Sequence, residues 1–291
     1  MKSYRNLFLT LIFSSVFIGC YEDMDDVLRP TSSLDIKNFI WRGMNNIYLY
    51  KSEVPDLAND RFANQEELNE FLKTFSSPQN LFYQGLVAED DDFSFLVDDY
   101  LELENLLDGI NLTNGMQYGL RRYSSTSEEV FGYVRYVLPN TSAEDKGIAR
   151  GDIFNTVNGE QLTRDNYSRL LEHASYTIGL ATKESDTISS TGETVTLQKA
   201  EYTTNPVFLA RTIDVGNKTV GYLMYNAFTS NFDDVLNETF GMFQAEGVTD
   251  LVVDLRYNGG GSVETAVDLG SMITGQFNGE IFYTEQWNED Y

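Results

Sequence analysis

The stretch DLRYNGGGS at residues 254–262 determines how the last part of the chain folds. The apolar run DLVVDLR at 250–256 is typical of a strand that is buried on both faces. After the glycines, apolar residues recur on one face of a predicted helix that begins near Val263. A strand, a glycine turn and a helix leave backbone N–H groups and the positive end of a helix at one point. The sequence therefore predicts a site for negative charge at this turn.

Three kinds of site use this geometry. A phosphate loop is disfavoured, because no Lys-Ser/Thr pair follows the glycines and no G-x-G-x-x-G spacing is present. A nucleophile elbow needs G-x-S-x-G, whereas Ser262 is followed by Val263 and Glu264 and suits a helix N-cap better. The third kind is an oxyanion hole, in which turn amides stabilise the charge that develops on a carbonyl oxygen during acyl transfer. We favour this third interpretation.

The composition of the whole chain excludes some partners. The 291 residues carry 45 acidic and 20 basic side chains, and the resulting net charge of -25 repels nucleic acid. Hydrophobic residues make up 42%, which predicts a folded chain of more than one domain. The sequence shows no cluster of metal-ligating residues, so we expect neither a metal nor a cofactor.

The N-terminal residues predict export. A short basic start precedes an apolar run at 7–18, which has the length of a signal-peptide core. The letters FIGC that follow resemble the cleavage box of bacterial lipoproteins, which implies a signal peptide over 1–20 and a lipid on Cys20. Residues 21–32 are acidic and predict a tether, as in surface lipoproteins of Gram-negative bacteria. The chain would be anchored to the membrane in the cell envelope, facing the periplasm or the outer surface; an ordinary signal peptide is the alternative.

The chain between the tether and the glycine turn divides into two predicted parts. Residues 33–113 form a helical domain, because apolar residues in its first segment recur at steps of three and four after Ser33, a possible N-cap. Residues 114–203 are rich in short β-prone runs separated by Gly and Asn turns. A second, β-rich domain is therefore predicted.

Within the β-rich domain, VLPNTSAEDKGIARGDIFNTVNGEQL at 137–162 resembles the PDZ domains of bacterial proteases, with its glycines in register. The resemblance implies a module that adds an extended peptide to a sheet edge and holds the peptide's C-terminal carboxylate with main-chain amides. It also implies a carboxylate loop at 116–120, a receiving strand at 120–123 and a groove helix at about 165–174. The implied peptide-binding residues are Met116, Gln117, Tyr118, Gly119, Leu120, Arg121 and Arg122, with the two arginines as carboxylate partners.

The glycine turn and its surroundings resemble the C-terminal-processing, or tail-specific, serine peptidase family. The family's hallmark D-L-R-x-N-x-G-G is matched at 254–261, after a PDZ-like module and a helical unit. The resemblance implies an α+β multidomain fold in which 204–291 begin an α/β peptidase core of ββα repeats, of the crotonase-like type. By the same resemblance, Gly260 or Gly261 would supply the oxyanion donor, while Asp254, Arg256 and Asn258 would support the turn.

The family's serine nucleophile and lysine base have no match in this chain. In the family both lie downstream of the glycine turn, and the sequence reaches Tyr291 before either motif, so we expect these residues alone to be inactive. The leading hypothesis is a serine endopeptidase whose PDZ module captures polypeptides with free C-termini for a downstream Ser–Lys dyad. The alternatives are a non-catalytic PDZ peptide-binding lipoprotein and a structural surface lipoprotein.

Overall fold

The structure, a computed structural model, describes residues 31–185 and 187–290. The predicted signal peptide and Cys20 lie outside these residues. The described chain forms two compact units: one runs to Leu96 and includes the segment from Tyr283, and the other is Val97–Phe282. Among the described helices none has the length and apolar character needed to cross a bilayer.

Helices dominate the first part of the chain and strands the second. The α-helices are α1 (Ser33–Ile47), α2 (Gln65–Lys73), α3 (Pro78–Leu81), α4 (Tyr100–Leu107), α5 (Ser142–Asp145), α6 (Tyr167–Glu172), α7 (Asp233–Ala245) and α8 (Val263–Ile273). The strands are β1 (Ile110–Thr113), β2 (Met116–Arg122), β3 (Val130–Val137), β4 (Ile153–Val157), β5 (Glu160–Gln161), β6 (Ser175–Glu184), β7 (Thr187–Gln198), β8 (Ala200–Thr203), β9 (Val207–Val215), β10 (Lys218–Tyr225) and β11 (Asp250–Asp254).

The helical unit is built around α1 and α2. A capping box starts α1: Ser32 Oγ accepts a hydrogen bond from the Asp35 N–H at 3.2 Å, and the Asp35 carboxylate accepts one from the Ser32 N–H at 2.9 Å. The predicted cap at Ser33 is therefore wrong by one residue, because the acidic partner lies three positions after Ser32. One hydrophobic cluster forms the core of this unit, with Ile40, Leu57, Leu68, Leu72, Leu81, Phe82 and Leu86 among its buried members.

The β-rich module combines one large sheet with two short helices, α5 and α6. Its sheet has the order β2-β3-β4-β6-β7, with β5 paired to β4, so β2 forms one edge. Phe154, Ile178 and Leu197 are fully buried in its hydrophobic core. The end of the predicted helical domain, Ile110–Thr113, is instead β1, which pairs antiparallel with β8 at the other end of the module's sequence.

The last part of the chain is an α/β core. Its sheet has the order β11-β10-β9, with β9 antiparallel and β11 parallel to β10. A parallel neighbour requires a crossover, which α7 supplies. Leu223, Tyr225 and Leu236 are fully buried in a third hydrophobic cluster of this core. The predicted α+β multidomain fold is confirmed.

Candidate functional site

The glycine turn lies at the carboxyl ends of two parallel strands. Strands β10 and β11 pair in parallel up to Met224 and Asp254, and the turn at 255–262 leads from there into α8. In open α/β sheets, ligands bind just outside the carboxyl ends of such strands. Topology therefore puts the turn where a substrate group is expected.

Two amides of the turn are engaged within the protein. The Gly259 N–H donates to the Asn226 carbonyl at 3.2 Å, and the Gly260 N–H donates to Asn258 Oδ1 at 2.8 Å. Asn258 is itself held, because its Nδ2 donates to the Tyr225 carbonyl at 3.1 Å. The Asn258 side chain therefore links the turn to the end of β10, and Gly260 has no free donor to offer.

Gly261 has a different geometry. Phe228 pairs with it as a single parallel bridge: the Phe228 N–H donates to the Gly260 carbonyl at 2.8 Å, and the Ser262 N–H donates to the Phe228 carbonyl at 2.7 Å. In such a bridge the N–H of Gly261 points to the opposite side from Phe228. Within residues 31–185 and 187–290, this N–H has no hydrogen-bond partner, and Gly261 is exposed. Of the two predicted oxyanion donors, only Gly261 has an available amide.

A charged cluster braces the strand that enters the turn. Arg256 donates two hydrogen bonds to the carboxylate of the buried Asp254, from Nε at 2.9 Å and from Nη2 at 2.5 Å. The Tyr222 hydroxyl donates a third to the same carboxylate at 2.5 Å. The Arg256 guanidinium holds the pKa of Asp254 far below its ordinary value, so this carboxylate stays charged. A permanently ionised, fully engaged carboxylate does not serve as a general base, so the geometry gives Asp254 and Arg256 a supporting role.

The residue after the glycines starts the helix. Ser262 Oγ accepts a hydrogen bond from the Thr265 N–H at 3.2 Å and forms the N-cap of α8. Thr265 is fully buried, and its hydroxyl donates to Asp233 Oδ1 on α7 at 2.8 Å. The positive end of α8 is thereby fixed next to the turn, where it favours negative charge.

Tyr257, between Arg256 and Asn258, docks the turn against the β-rich module. Its ring lies 5.5 Å from the Tyr136 ring, and the guanidinium groups of Arg135 and Arg150 lie 5.9 and 5.4 Å from its centroid. A guanidinium group over the face of an aromatic ring is attracted to the ring electrostatically, which is a cation–π interaction. Strand β3 and the turn before β4 therefore contact the loop that carries Gly261.

The predicted peptide-binding residues lie on an edge strand. Residues 116–120, expected as a carboxylate loop, belong to β2. The loop prediction is wrong, because these residues pair antiparallel with β3, with a register shift between Gln117 and Tyr118. Tyr118 packs edge-on against Phe154 at 5.8 Å, and burial raises the pKa of its hydroxyl. The other members differ in exposure: Met116 and Gly119 are buried, Gln117 and Leu120 are half-buried, and Arg121 and Arg122 are exposed.

Two family models match the chain on both sides of the β-rich module. A model described as peptidase S41 N-terminal domain covers residues 35–95, and one described as peptidase family S41 covers 219–291, which includes the glycine turn. A carboxyl-terminal-processing protease from Picosynechococcus is 23% identical over 263 residues, which are 88% of this chain. The chain is similar to the C-terminal-processing peptidases over both of its ends. A second relative, the chloroplastic C-terminal processing peptidase of Tetradesmus obliquus, is 28% identical over 46% of this chain and 32% of that protein.

The chain corresponds to only part of the length of these relatives. It spans 61% of the length of the Picosynechococcus protease. A solved structure of an S41 protease from Bacteroides fragilis aligns with 82% of this chain and 58% of its own, at 27% identity and a TM-score of 0.49.

Three residues near the turn were not found by sequence reasoning. Asn226, Phe228 and Tyr257 contact it through a backbone carbonyl, a backbone bridge and an aromatic face. Asn226 and Phe228 contact the turn through main-chain atoms, and any residue type could make these contacts, so the sequence does not predict them. Tyr257 occupies the variable position of the family's D-L-R-x-N pattern, and its partners are more than 100 residues away in the sequence. No pattern in the sequence indicated these contacts.

A metal centre is not indicated either. Within the part of the chain that the structure describes, no three His, Cys, Asp or Glu side chains are grouped so that they could hold a metal ion.

Proposed function

We propose that this chain is the substrate-handling part of a serine endopeptidase that cleaves polypeptides captured by their free C-termini. The observation that carries the proposal is the available amide of Gly261 at the carboxyl ends of β10 and β11. A preorganised donor there would stabilise the oxyanion of an acyl-transfer intermediate, which is the contribution that oxyanion holes make to catalysis.

The nucleophile and its base are proposed from the family. A serine activated by a lysine would complete the site, with the lysine's pKa lowered by burial so that it acts as a base near neutral pH. None of the described side chains around the turn fits either role: the Ser262 hydroxyl caps α8, and burial raises the pKa of Tyr225 to about 12, which keeps its hydroxyl protonated. The dyad would come from residues other than these.

The experiment is a cleavage assay of the protein expressed from its complete reading frame. The substrate is a peptide with a free, apolar C-terminus, and the control is the same peptide with an amidated C-terminus. We expect turnover of the first and much less of the second, because the amide removes the carboxylate that the PDZ-like module would hold. Absence of turnover, or turnover that survives replacement of every downstream serine, would contradict the proposal. Binding without cleavage would point to a peptide-binding protein instead.

We also propose that the protein is lipid-anchored in the cell envelope through Cys20. The support is the sequence pattern of 1–20 alone, which lies outside the described residues. Growth with a clickable palmitate analogue should label the wild-type protein and not Cys20→Ser. Equal labelling of both proteins, or none of either, would contradict the anchor.

A further inference from the structure

We propose that the free edge of β2 selects polypeptide tails that carry Asp or Glu a few residues before an apolar C-terminus. This inference rests on the proposed capture of tails and adds the chemical class of the substrate. It depends on two arginines whose charge the described structure leaves uncompensated.

Strand β2 offers an open edge. It lies at the end of its sheet and pairs only with β3 among the described strands. An edge strand presents main-chain N–H and C=O groups to which an extended peptide can add. The resemblance to PDZ domains puts the carboxylate of such a peptide at the Met116 end. The residues before the carboxylate then pass along β2 towards Arg121 and Arg122, so this inference assigns the two arginines to those residues and not to the carboxylate expected from the sequence.

The two arginines have no carboxylate of their own. Arg121 and Arg122 are both exposed, and neither lies within 4 Å of an acidic group in residues 31–185 and 187–290. Arg122 is nevertheless held in position, because its Nε donates to the Ser127 carbonyl at 2.9 Å. Other arginines of the same module do pair: Arg164 with Glu128 at 3.6 Å and Arg169 with Glu160 at 3.1 Å.

Other described cations also lack a carboxylate partner, but Arg135 and Arg150 of the same module lie over the Tyr257 ring, whereas Arg121 and Arg122 contact no aromatic ring among the described residues. Acidic residues outnumber basic ones by 45 to 20, so an exposed arginine has many potential partners. The overall charge of -25 repels an acidic peptide at long range, and a local pair of cations is what would allow such a peptide to bind at one edge. An apolar or basic tail would leave both guanidinium groups without a carboxylate partner, and the two arginines would not increase its binding affinity.

Neighbouring positions on adjacent strands interact directly. Side chains on one face of an antiparallel pair lie within contact distance, and opposite charges there are favourable. Arg121 and Arg122 point to opposite faces of β2, because successive residues of a strand alternate. An acidic side chain on either face of the added peptide therefore meets an arginine. Because such pairs are exposed, each is weak and is screened by salt.

The test measures binding by the 291-residue chain itself and needs no catalysis. Three fluorescent peptides share one apolar C-terminus and differ at the third to fifth positions before it, which are Glu, Gln or Lys. At low ionic strength we expect the Glu peptide to bind about three- to tenfold more tightly than the Gln peptide, with the Lys peptide weakest. Raising the salt concentration should narrow the difference.

Variants of the chain identify the residues responsible. In R121Q/R122Q the preference for Glu over Gln should disappear, because the Glu peptide should lose more affinity than the Gln peptide. The matched control is R164Q/R169Q, which removes two exposed arginines that already have partners in the same module; it should keep the preference. Circular dichroism checks that each variant is folded.

The outcomes separate this inference from the function on which it rests. If the unmodified chain binds the Glu and Gln peptides equally well, or if R164Q/R169Q loses the preference as much as R121Q/R122Q does, the charge selection is wrong and tail capture stands. If none of the free-acid peptides binds, or if amidated versions bind as well, tail capture itself is wrong and the selection is wrong with it.

Discussion

Gly261 meets two constraints that no residue with a side chain meets. Its φ of +131° is in the region that favours glycine, and a Cβ built on it would lie 2.2 Å from the Phe228 carbonyl oxygen. The Phe228 backbone would have to move to make room, and with it the bridge that points the Gly261 N–H outward.

The first prediction concerns this crowding. Gly261→Ala should destabilise the chain by about 2–3 kcal/mol, measured by urea unfolding, because the substitution combines an unfavourable φ with a backbone clash. Gly259→Ala is the matched control: Gly259 has no positive φ, and its Cβ would meet nothing within 4 Å. Equal stability of the two variants would show that the described turn is wrong.

The second prediction concerns pH and Asp254. Because Arg256 lowers the pKa of this carboxyl below its ordinary 3.8, the ion pair stabilises the fold fully above pH 3.8 and loses this effect as the pH falls through the lower, folded value. Asp254→Asn should lower the melting temperature by about 5 °C at pH 6. The difference in melting temperature between this variant and the wild type should become smaller as the pH falls below 3.8. A deficit that is constant from pH 6 to pH 2.5 would mean that the charge of Asp254 contributes nothing.

A side-chain hydrogen bond to nearby backbone could be predicted from the sequence at Ser262, but the cap of α1 was predicted one residue too late, and tertiary contacts could not be predicted at all. Ser262 was recognised as a cap because its partner is three residues away. The roles of Asn226 and Tyr257 depend on groups brought together by folding, such as Tyr136 and Arg150, so their types and spacing carried no signal. Gly260 and Gly261 were indistinguishable until the direction of each N–H was known.

At the level of elements, the position of Ser262 at the start of α8 shows that this serine is structural and not reactive. The Ser262 hydroxyl accepts the Thr265 N–H, as an N-cap does. In the β-rich module the resemblance to PDZ domains led to a wrong element. MQYGL at 116–120 was expected as a loop, but it is part of β2 and pairs with β3. Fold class was predictable, and the exact bounds of this strand were not.

The third prediction tests the role of Ser262. Ser262→Ala should cost about 1 kcal/mol of stability, because an orphan amide of α8 loses its acceptor. In the protein from the complete reading frame, this variant should keep peptidase activity within a few-fold of the wild type. Loss of activity by several orders of magnitude, without unfolding, would make Ser262 the nucleophile and would overturn its role as a cap.

At the level of the molecule, the β-rich module and the α/β core lie in one compact unit. The contacts of Tyr257 with Tyr136, Arg135 and Arg150 join these two parts. Tyr136 also packs on Phe208 of β9 at 4.7 Å, so the contact continues into the sheet of the α/β core.

The fourth prediction is that these contacts of Tyr257 couple the two parts. Tyr257→Ala should cost roughly 1–3 kcal/mol, the sum of two cation–π contacts and one ring contact. It should also increase hydrogen exchange in both 130–137 and 257–262. Tyr257→Phe keeps the ring and should change little. If Tyr257→Ala increases exchange only in 257–262, the contacts of Tyr257 are local and do not join the two parts.

The bridge between Phe228 and Gly261 joins positions on either side of the whole α7 crossover. Closing so large a loop costs entropy, which the pairing of β10 with β11 offsets, so we expect the glycine turn to take its shape only after these strands have paired. A nascent or half-folded molecule thus has no donor in place for an acyl group.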